Sequence, residues 1–194
     1  MMQFLILLAL VVAATAGADY EKKLKALQNP DLYDGDMISI SGRFVSVPYD
    51  RFLISVDPDR NAIKGDKYRW PNAKVPYVID QALLNHSAVI LKGMKNYHDH
   101  TCARFVPRTT KKDYVKIFQG DGCHARVGRA GGQQTLSLGD ECLYVGTVIH
   151  ELGHALGIYH EHNRSDRDDF LTIYYKNIQE GSYNKKMLFL IHSF

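Results

Sequence analysis

Hydrophobic and polar positions follow two different periods along the chain, and together they predict a domain that mixes helices and strands. Over residues 87–98 and 144–156, apolar side chains recur every three or four positions, the spacing of helices with one buried face. Runs rich in β-branched and aromatic residues predict strands or extended pieces at residues 75–79, 102–108, 114–118, 135–138 and 170–175. Gly157 directly follows the second helical pattern, where a glycine commonly ends a helix.

Two segments of different character precede this domain. Residues 4–16 read FLILLALVVAATA, an apolar run followed by small residues that fit a signal-peptidase site. The alternative is a membrane anchor, but this run is short for a span that needs about 20 apolar residues. Residues 19–60 show no sustained period, apart from a short helix that residues 19–27 could form. We therefore expect a loosely packed arm that ends in an exposed, cleavable linker at Arg60.

Composition and charge narrow the class of protein. Hydrophobic residues make up 45% of the chain and charged residues 23%, which is ordinary for a globular protein. A net charge of +3, without a long Lys/Arg run, argues against nucleic acid as a partner. Cys102, Cys123 and Cys142 are odd in number, so at least one is left over or pairs between chains. Asn85 and Asn163 begin Asn-x-Ser triplets, which can carry glycans where they are exposed.

The strongest chemical signal is the stretch VIHELGHALGIYHEHNRSDRD, residues 148–168. His150 and His154 are four residues apart, so on a helix both imidazoles can reach one metal ion. Gly157 can adopt a positive φ and turn the chain back, which would bring His160 to the same ion as a third ligand. Three neutral nitrogens leave one position open on Zn²⁺, as in catalytic zinc sites.

Glu151 lies between the first two histidines and is placed to take a proton from water at such a metal. The alternative is that two of the nine histidines fell four apart by chance on a partly buried helix. Five specified residues at fixed offsets, on a predicted helix that ends in a glycine, favour the metal site.

These residues resemble the astacin family of metzincin metallopeptidases. HELGHALGIYHEHNRSDRD matches the family's extended motif, H-E-x-x-H-x-x-G-x-x-H-E-x-x-R-x-D-R-D, at every fixed position. NAIKGDKYRWPNAKVPYVID and CARFVPRTTKKDYVKIFQGDGC resemble the start of its catalytic domain, and YDGDM resembles its propeptide motif. The resemblance implies an α+β fold with a twisted, mostly parallel five-stranded sheet and two long helices, one of which bears the zinc ligands, preceded by an extended propeptide.

The resemblance also implies how the chain is divided and regulated. Residues 1–18 would be a signal peptide, 19–60 a propeptide and 61–194 the catalytic domain, with activation by cleavage between Arg60 and Asn61. Asp36 would block the metal's open position in the uncleaved chain; the alternative is an ordinary turn aspartate. Glu161 would receive the new N-terminus after cleavage; the alternative is an exposed charge.

The function implied is that of a secreted, extracellular zinc metalloendopeptidase. His150, His154 and His160 would hold one Zn²⁺ per chain, and Glu151 would be the general base. A protein or peptide substrate would bind in extended form along an edge strand, and no membrane contact is expected once the signal peptide is removed.

The resemblance further implies a disulfide between Cys123 and Cys142 and a free Cys102. The family's Met-turn, S-x-M-H-Y-like, has no match in this sequence. We therefore expect most of the C-terminal subdomain to be absent and the chain as written to be a weak protease or none. The alternative function is a non-catalytic product that binds zinc or a partner.

Overall fold

The computed structural model describes residues 61–164, 166–174 and 176, together with residues 22, 26, 29, 32, 34–38 and 56–57. The proposed signal peptide and Arg60 lie outside the described residues. Among those described, six strands form one sheet and two form a separate antiparallel pair. In chain order the strands are β1 (Met37–Ile38), β2 (Val56–Asp57), β3 (Ala62–Ile63), β4 (Lys74–Ile79), β5 (Arg104–Pro107), β6 (Tyr114–Phe118), β7 (Cys123–Arg126) and β8 (Gln133–Leu138).

The main sheet has the strand order β1-β7-β8-β6-β4-β5. All neighbouring strands are parallel except β7 and β8, which are antiparallel. The five strands β4 to β8 confirm the mostly parallel five-stranded sheet, and β1 adds a sixth strand from the arm. Strand predictions within residues 75–138 are confirmed with shifts of one or two residues at their ends, whereas residues 171–174 form no strand.

Two helices pack side by side in the domain after residue 61, as predicted. The helix α1 spans Ser87–His100 and the helix α2 spans Val145–Leu156. Apolar side chains of both helices join those of the sheet in one core, which includes Val75, Ile90, Ile117, Leu136, Val148 and Leu152. No helix of the described residues is both long and apolar enough to cross a membrane.

The arm is not loosely packed where the structure describes it. Met37 is fully buried, and the short strand β1 pairs in parallel with β7 at the edge of the sheet. A strand of two residues is too short to show an alternating pattern in the sequence. The strand β1 therefore depends on the edge strand β7, with which it pairs. Lys22 and Ala26 are helical, consistent with the short helix predicted there.

The predicted cleavage bond lies between two paired strands. Val56 and Asp57 of β2 pair with Ile63 and Ala62 of β3, so Arg60 belongs to the connection between these strands. The exposure predicted for the linker up to Arg60 lies outside the described residues, whereas Asn61, which follows it, is fully buried. Ala62 also forms an antiparallel bridge with Ile158, which ties the start of the domain to the turn after α2.

Gly93 sets the distance between the two helices, and alanine at this position is expected to destabilise the fold. A Cβ atom at Gly93 would lie 2.5 Å from Cγ1 of Val148, closer than packed atoms approach. Overpacking of this kind costs about 1–3 kcal/mol of unfolding free energy, which urea titration would measure. Gly146→Ala is the matched control, because a Cβ there meets nothing within 4 Å. Equal changes in unfolding free energy in the two variants would contradict this tight contact.

Candidate metal centre

The predicted turn after α2 forms at Gly157. This residue has φ 107°, and its N–H donates to the carbonyls of Gly153 and His154, which ends the helix. A Cβ at Gly157 would lie 2.7 Å from Cγ2 of Ile63, so both conformation and space require glycine. The chain therefore reverses and returns beside the last turn of the helix.

The C-terminal end of α2 is held by two donors from elsewhere in the domain. The indole N–H of Trp70 donates to the carbonyl of Ala155 over 2.8 Å, and the amide of Gly128 donates to the carbonyl of His154 over 2.9 Å. The Ala155 carbonyl has no partner within the helix, and the His154 carbonyl accepts its bond in addition to that from Gly157. Neither Trp70 nor Gly128 was predicted from the sequence to support the helix; the only signal was that Trp70 is the chain's single tryptophan.

A third anchor joins α1 to the middle of α2. The hydroxyl of Tyr97 donates to the carbonyl of Ile149 over 2.8 Å. Burial raises the pKa of Tyr97 to about 12, so the phenol stays protonated and remains a donor at neutral pH. Gly153 provides the space, since a Cβ there would lie 2.9 Å from the Tyr97 oxygen. The helix that carries the predicted ligands is thus fixed along its length.

The three predicted histidines converge on one point. Nε2 of His150 lies 3.1 Å from Nε2 of His154 and 3.1 Å from Nε2 of His160. The Nδ1 atom of His154 contacts the carbonyl of Ile158 at 2.8 Å, so Nδ1 carries the proton and Nε2 presents a lone pair. Tetrahedral zinc with nitrogen ligands at 2.0–2.1 Å separates these nitrogens by about 3.3 Å. The observed spacing therefore fits a shared zinc ion.

Asp36 completes this cluster from the arm. Its Oδ2 lies 2.9 Å from Nε2 of His150, and its Oδ1 lies 3.1 Å from Nε2 of His160 and 3.6 Å from Nε2 of His154. Burial alone would raise the pKa of Asp36, but the close approach of the three imidazoles holds it well below the usual value. An ionised carboxylate thus faces the point where the three lone pairs meet, and it could act as a fourth metal ligand.

Glu151 is fully buried beside the same cluster. Among the described residues, neither of its carboxylate oxygens has a hydrogen-bond partner. Burial, and then the charge of Asp36, raise the pKa of Glu151 well above its usual value, against a smaller lowering effect of His160. A carboxyl group buried without partners is costly unless something else completes its surroundings. A metal ion with its water would do so.

Comparison with known proteins agrees with this arrangement. Residues 62–188 match the model of the peptidase family described as Astacin. The chain belongs to the astacin family. Zinc is the metal used by astacin metalloproteases, and the histidine cluster is compatible with it.

Individual members of the astacin family are similar over part of their length. Astacin-like metalloprotease toxin 1 of Loxosceles intermedia is 48% identical over 126 residues, 64% of this chain and 48% of that protein. Zinc metalloproteinase nas-8 of Steinernema carpocapsae is 41% identical over 174 residues, 89% of this chain and 40% of that protein. The chain thus spans less than half the length of either relative.

A solved astacin structure has the same fold. High choriolytic enzyme 1, a hatching enzyme zinc-protease from Oryzias latipes, superimposes with a TM-score of 0.57 and 38% sequence identity. The superposition covers 66% of this chain and 69% of the fish enzyme.

The astacin resemblance implies that Glu161 receives the new N-terminus at Asn61 after cleavage. Both residues lie near His160, the third histidine. The amide Nδ2 of Asn61 donates to the carbonyls of Tyr159 and His160, over 2.8 and 2.5 Å. Glu161 is exposed, and its carboxylate lies 3.6 Å from Nε of Arg164. The first residue after the predicted cleavage bond is therefore already docked beside the turn that carries Glu161.

The cysteines have the pattern that the astacin resemblance implies. Cys123 and Cys142 form a disulfide between β7 and the turn before α2, and Cys102 is an exposed free thiol. Of the two glycosylation triplets, the one at Asn85 is exposed. Ser165, which completes the other, lies outside the described residues.

Two residues of the cluster were not predicted from the sequence. Asp34, two residues before Asp36, has its Oδ2 atom 2.7 Å from Nδ1 of His160 and 2.8 Å from Nε2 of His162. Burial alone would raise the pKa of Asp34, but its hydrogen bonds with the two imidazoles hold it well below the usual value. Neither residue belongs to a fixed position of the histidine motif, so only the fold reveals this contact.

Proposed function

We propose that the protein is a secreted zinc metalloendopeptidase that hydrolyses peptide bonds in proteins or peptides. The observation that carries this proposal is the convergence of three imidazole nitrogens beside a buried carboxylate without protein partners among the described residues. His150, His154 and His160 would hold the metal, and Glu151 would act on water. Family membership supports the same reaction class.

Within this proposal, each residue has a separate task. Zinc, when bound, acidifies water and polarises a peptide carbonyl. Glu151 would take a proton from the attacking water and return it to the leaving amine, which is general base and then general acid catalysis. The anchors at Trp70 and Tyr97 would keep the α2 ligands fixed while the substrate moves, since small displacements of reacting groups are costly.

We further propose that the protein is made as a zymogen in which the arm blocks the site twice. Asp36 would occupy the metal's open position through its carboxylate. Beside it, the amide of Ala125 donates to the carbonyl of Asp36 over 3.0 Å, and the amide of Val127 donates to the carbonyl of Ile38 over 3.4 Å. An extended substrate would need this same edge of β7 to add itself to the sheet.

Activation would follow cleavage between Arg60 and Asn61. The new ammonium group would form at Asn61, whose side chain is bound to residues 159–160, and Glu161 would be its carboxylate partner. A disulfide between Cys123 and Cys142, together with the apolar run at residues 4–16, supports secretion into an oxidising compartment.

The test of this function is proteolysis by the secreted protein before and after cleavage at Arg60. Any cleavage of denatured casein should appear only after activation, and a zinc chelator should stop the reaction, which added zinc should restore. Cleavage that survives the chelator would contradict a metal-dependent reaction. An activated protein that binds zinc and leaves casein and short peptides intact would favour a non-catalytic role.

Asp36→Ala should make the uncleaved protein partly active. The substitution removes the carboxylate from the metal's open position, so water can enter while the bond at Arg60 is intact. A fluorogenic peptide assay on protein verified as uncleaved would measure the gain. Asp99→Ala is the control, because this exposed carboxylate on α1 pairs only with Lys95 among the contacts described for its side chain. If both variants stay as silent as the parent, the arm blocks by covering the edge strand and not through Asp36.

A further inference from the structure

His160 is held by the arm at both of its ring nitrogens. Its Nε2 faces Asp36 and His150, while its Nδ1 lies 2.7 Å from Oδ2 of Asp34. The same Asp34 oxygen lies 2.8 Å from Nε2 of His162, a buried histidine two residues further on. A carboxylate oxygen accepts hydrogen bonds, so both imidazoles act as donors to this one atom. Asp34 itself is largely enclosed, with 12% of its side chain exposed.

Two of the three predicted zinc ligands have a described Nδ1 contact, and they obtain it from different parts of the chain. Nδ1 of His154 donates to the backbone carbonyl of Ile158, within the turn after α2. Nδ1 of His160 donates to a carboxylate of the arm, which would depart on activation. A carboxylate behind a metal-binding imidazole fixes its tautomer and orientation and raises its basicity, and the loss of such a partner typically weakens metal binding by about 10–100-fold.

We propose that Asp34 is a positioning residue through which the arm strengthens the zinc site of the uncleaved protein. It acts on His160 through Nδ1, and its bond with His162 holds the carboxylate in place. This inference rests on the proposed role of His160 as a zinc ligand. It gives the arm a second task beside blockage: the zymogen loads and keeps its metal with the help of a partner that the mature enzyme lacks.

The experiment compares zinc affinity in the uncleaved and cleaved forms of the protein. Competition with a chromophoric chelator gives the zinc dissociation constant of the parent, Asp34→Ala, Asp34→Asn and the control Asp113→Ala. Asp113 accepts hydrogen bonds from Arg129 and the Gly132 amide. The variant Asp113→Ala therefore shows how far a general loss of stability lowers zinc affinity. In the uncleaved form, Asp34→Ala should weaken zinc binding by about 10–100-fold, and Asp113→Ala should leave it unchanged.

Two further readouts separate this role from a general effect on folding. After cleavage at Arg60 and removal of the arm, parent and Asp34→Ala protein should bind zinc equally, because residue 34 has left. With cobalt in place of zinc, the visible absorption of the uncleaved protein should shift in Asp34→Ala but not in Asp113→Ala. Asp34→Asn keeps the size and one acceptor oxygen, so it should fold and show a smaller loss than alanine.

The inference is overturned if uncleaved Asp34→Ala binds zinc as tightly as the parent, or loses no more affinity than Asp113→Ala. If Asp34→Ala does not fold, the zinc affinity of Asp34→Asn is measured in its place. Parental zinc affinity and an unshifted cobalt spectrum in Asp34→Asn would also overturn the inference. The proposed ligand set is tested separately by His154→Ala. Zinc loss in His154→Ala with parental affinity in both Asp34 variants would reject the role of Asp34 alone.

Discussion

After cleavage at Arg60 and removal of the arm, which takes Asp36 away from the metal, replacement of His154 by alanine is expected to remove zinc from the protein. His154 is buried, and its Nδ1–H bond to Ile158 aims the Nε2 lone pair at the cluster. Two remaining imidazoles make a poor site, since zinc in proteins almost always takes at least three protein ligands. Atomic absorption on the dialysed protein should fall from about one zinc per chain to near zero.

The matched control for this experiment is His86→Ala. His86 is an exposed histidine at the start of α1, so its loss should leave the zinc content unchanged. Circular dichroism of both variants would verify that the fold is intact. Retention of zinc by His154→Ala in a folded protein would show that the ligands lie elsewhere.

Glu151→Gln is expected to abolish most proteolysis while zinc stays bound. The amide has the shape of the carboxylate but cannot accept the proton, and loss of a general base typically costs about 10²–10⁴-fold in rate. The variant should fold at least as well as the parent, because burial disfavours the charged form of Glu151 and the amide carries no charge. The rate of peptide cleavage by the activated protein, measured together with the zinc content of the same sample, tests this prediction.

Glu141→Gln provides the comparison for this variant. Glu141 lies in the turn before α2, 3.8 Å from Lys22, and has no described contact with the histidine cluster. Its substitution should leave the rate of cleavage close to that of the parent. Parental activity in Glu151→Gln would assign the general base to another group.

The local parts of this site could be predicted from the sequence because their geometry follows from the helix. A spacing of four residues fixes where His150 and His154 point, and Gly157 was identified as a turn by its position after the pattern. Both helices and the strands β4, β5, β6 and β8 have the same local origin, since alternation and helical periods are properties of short windows. The strand β7 was not predicted.

The parts that join distant segments were not predictable in the same way. Asp34 and His160 are separated by 126 positions in the sequence, and no period connects them. Trp70 and Tyr97 support α2 through single hydrogen bonds to its carbonyls, which leave no pattern in the chain. Residues 170–175 were predicted as a strand or an extended piece, and residues 171–174 form no strand, because an apolar, β-branched run does so only where a neighbouring strand can pair with it.

The pairing of β2 with β3 across the bond at Arg60 has a consequence for the reversibility of activation. While the bond is intact, the segment proposed to block the site is intramolecular, and short tethers give effective concentrations of about millimolar. After cleavage, Ala62 of β3 still forms its bridge with Ile158, but no covalent connection joins β3 to β2. Under the proposed activation, the released arm would compete only at its bulk concentration, so dilution outside the cell would make activation a one-way event.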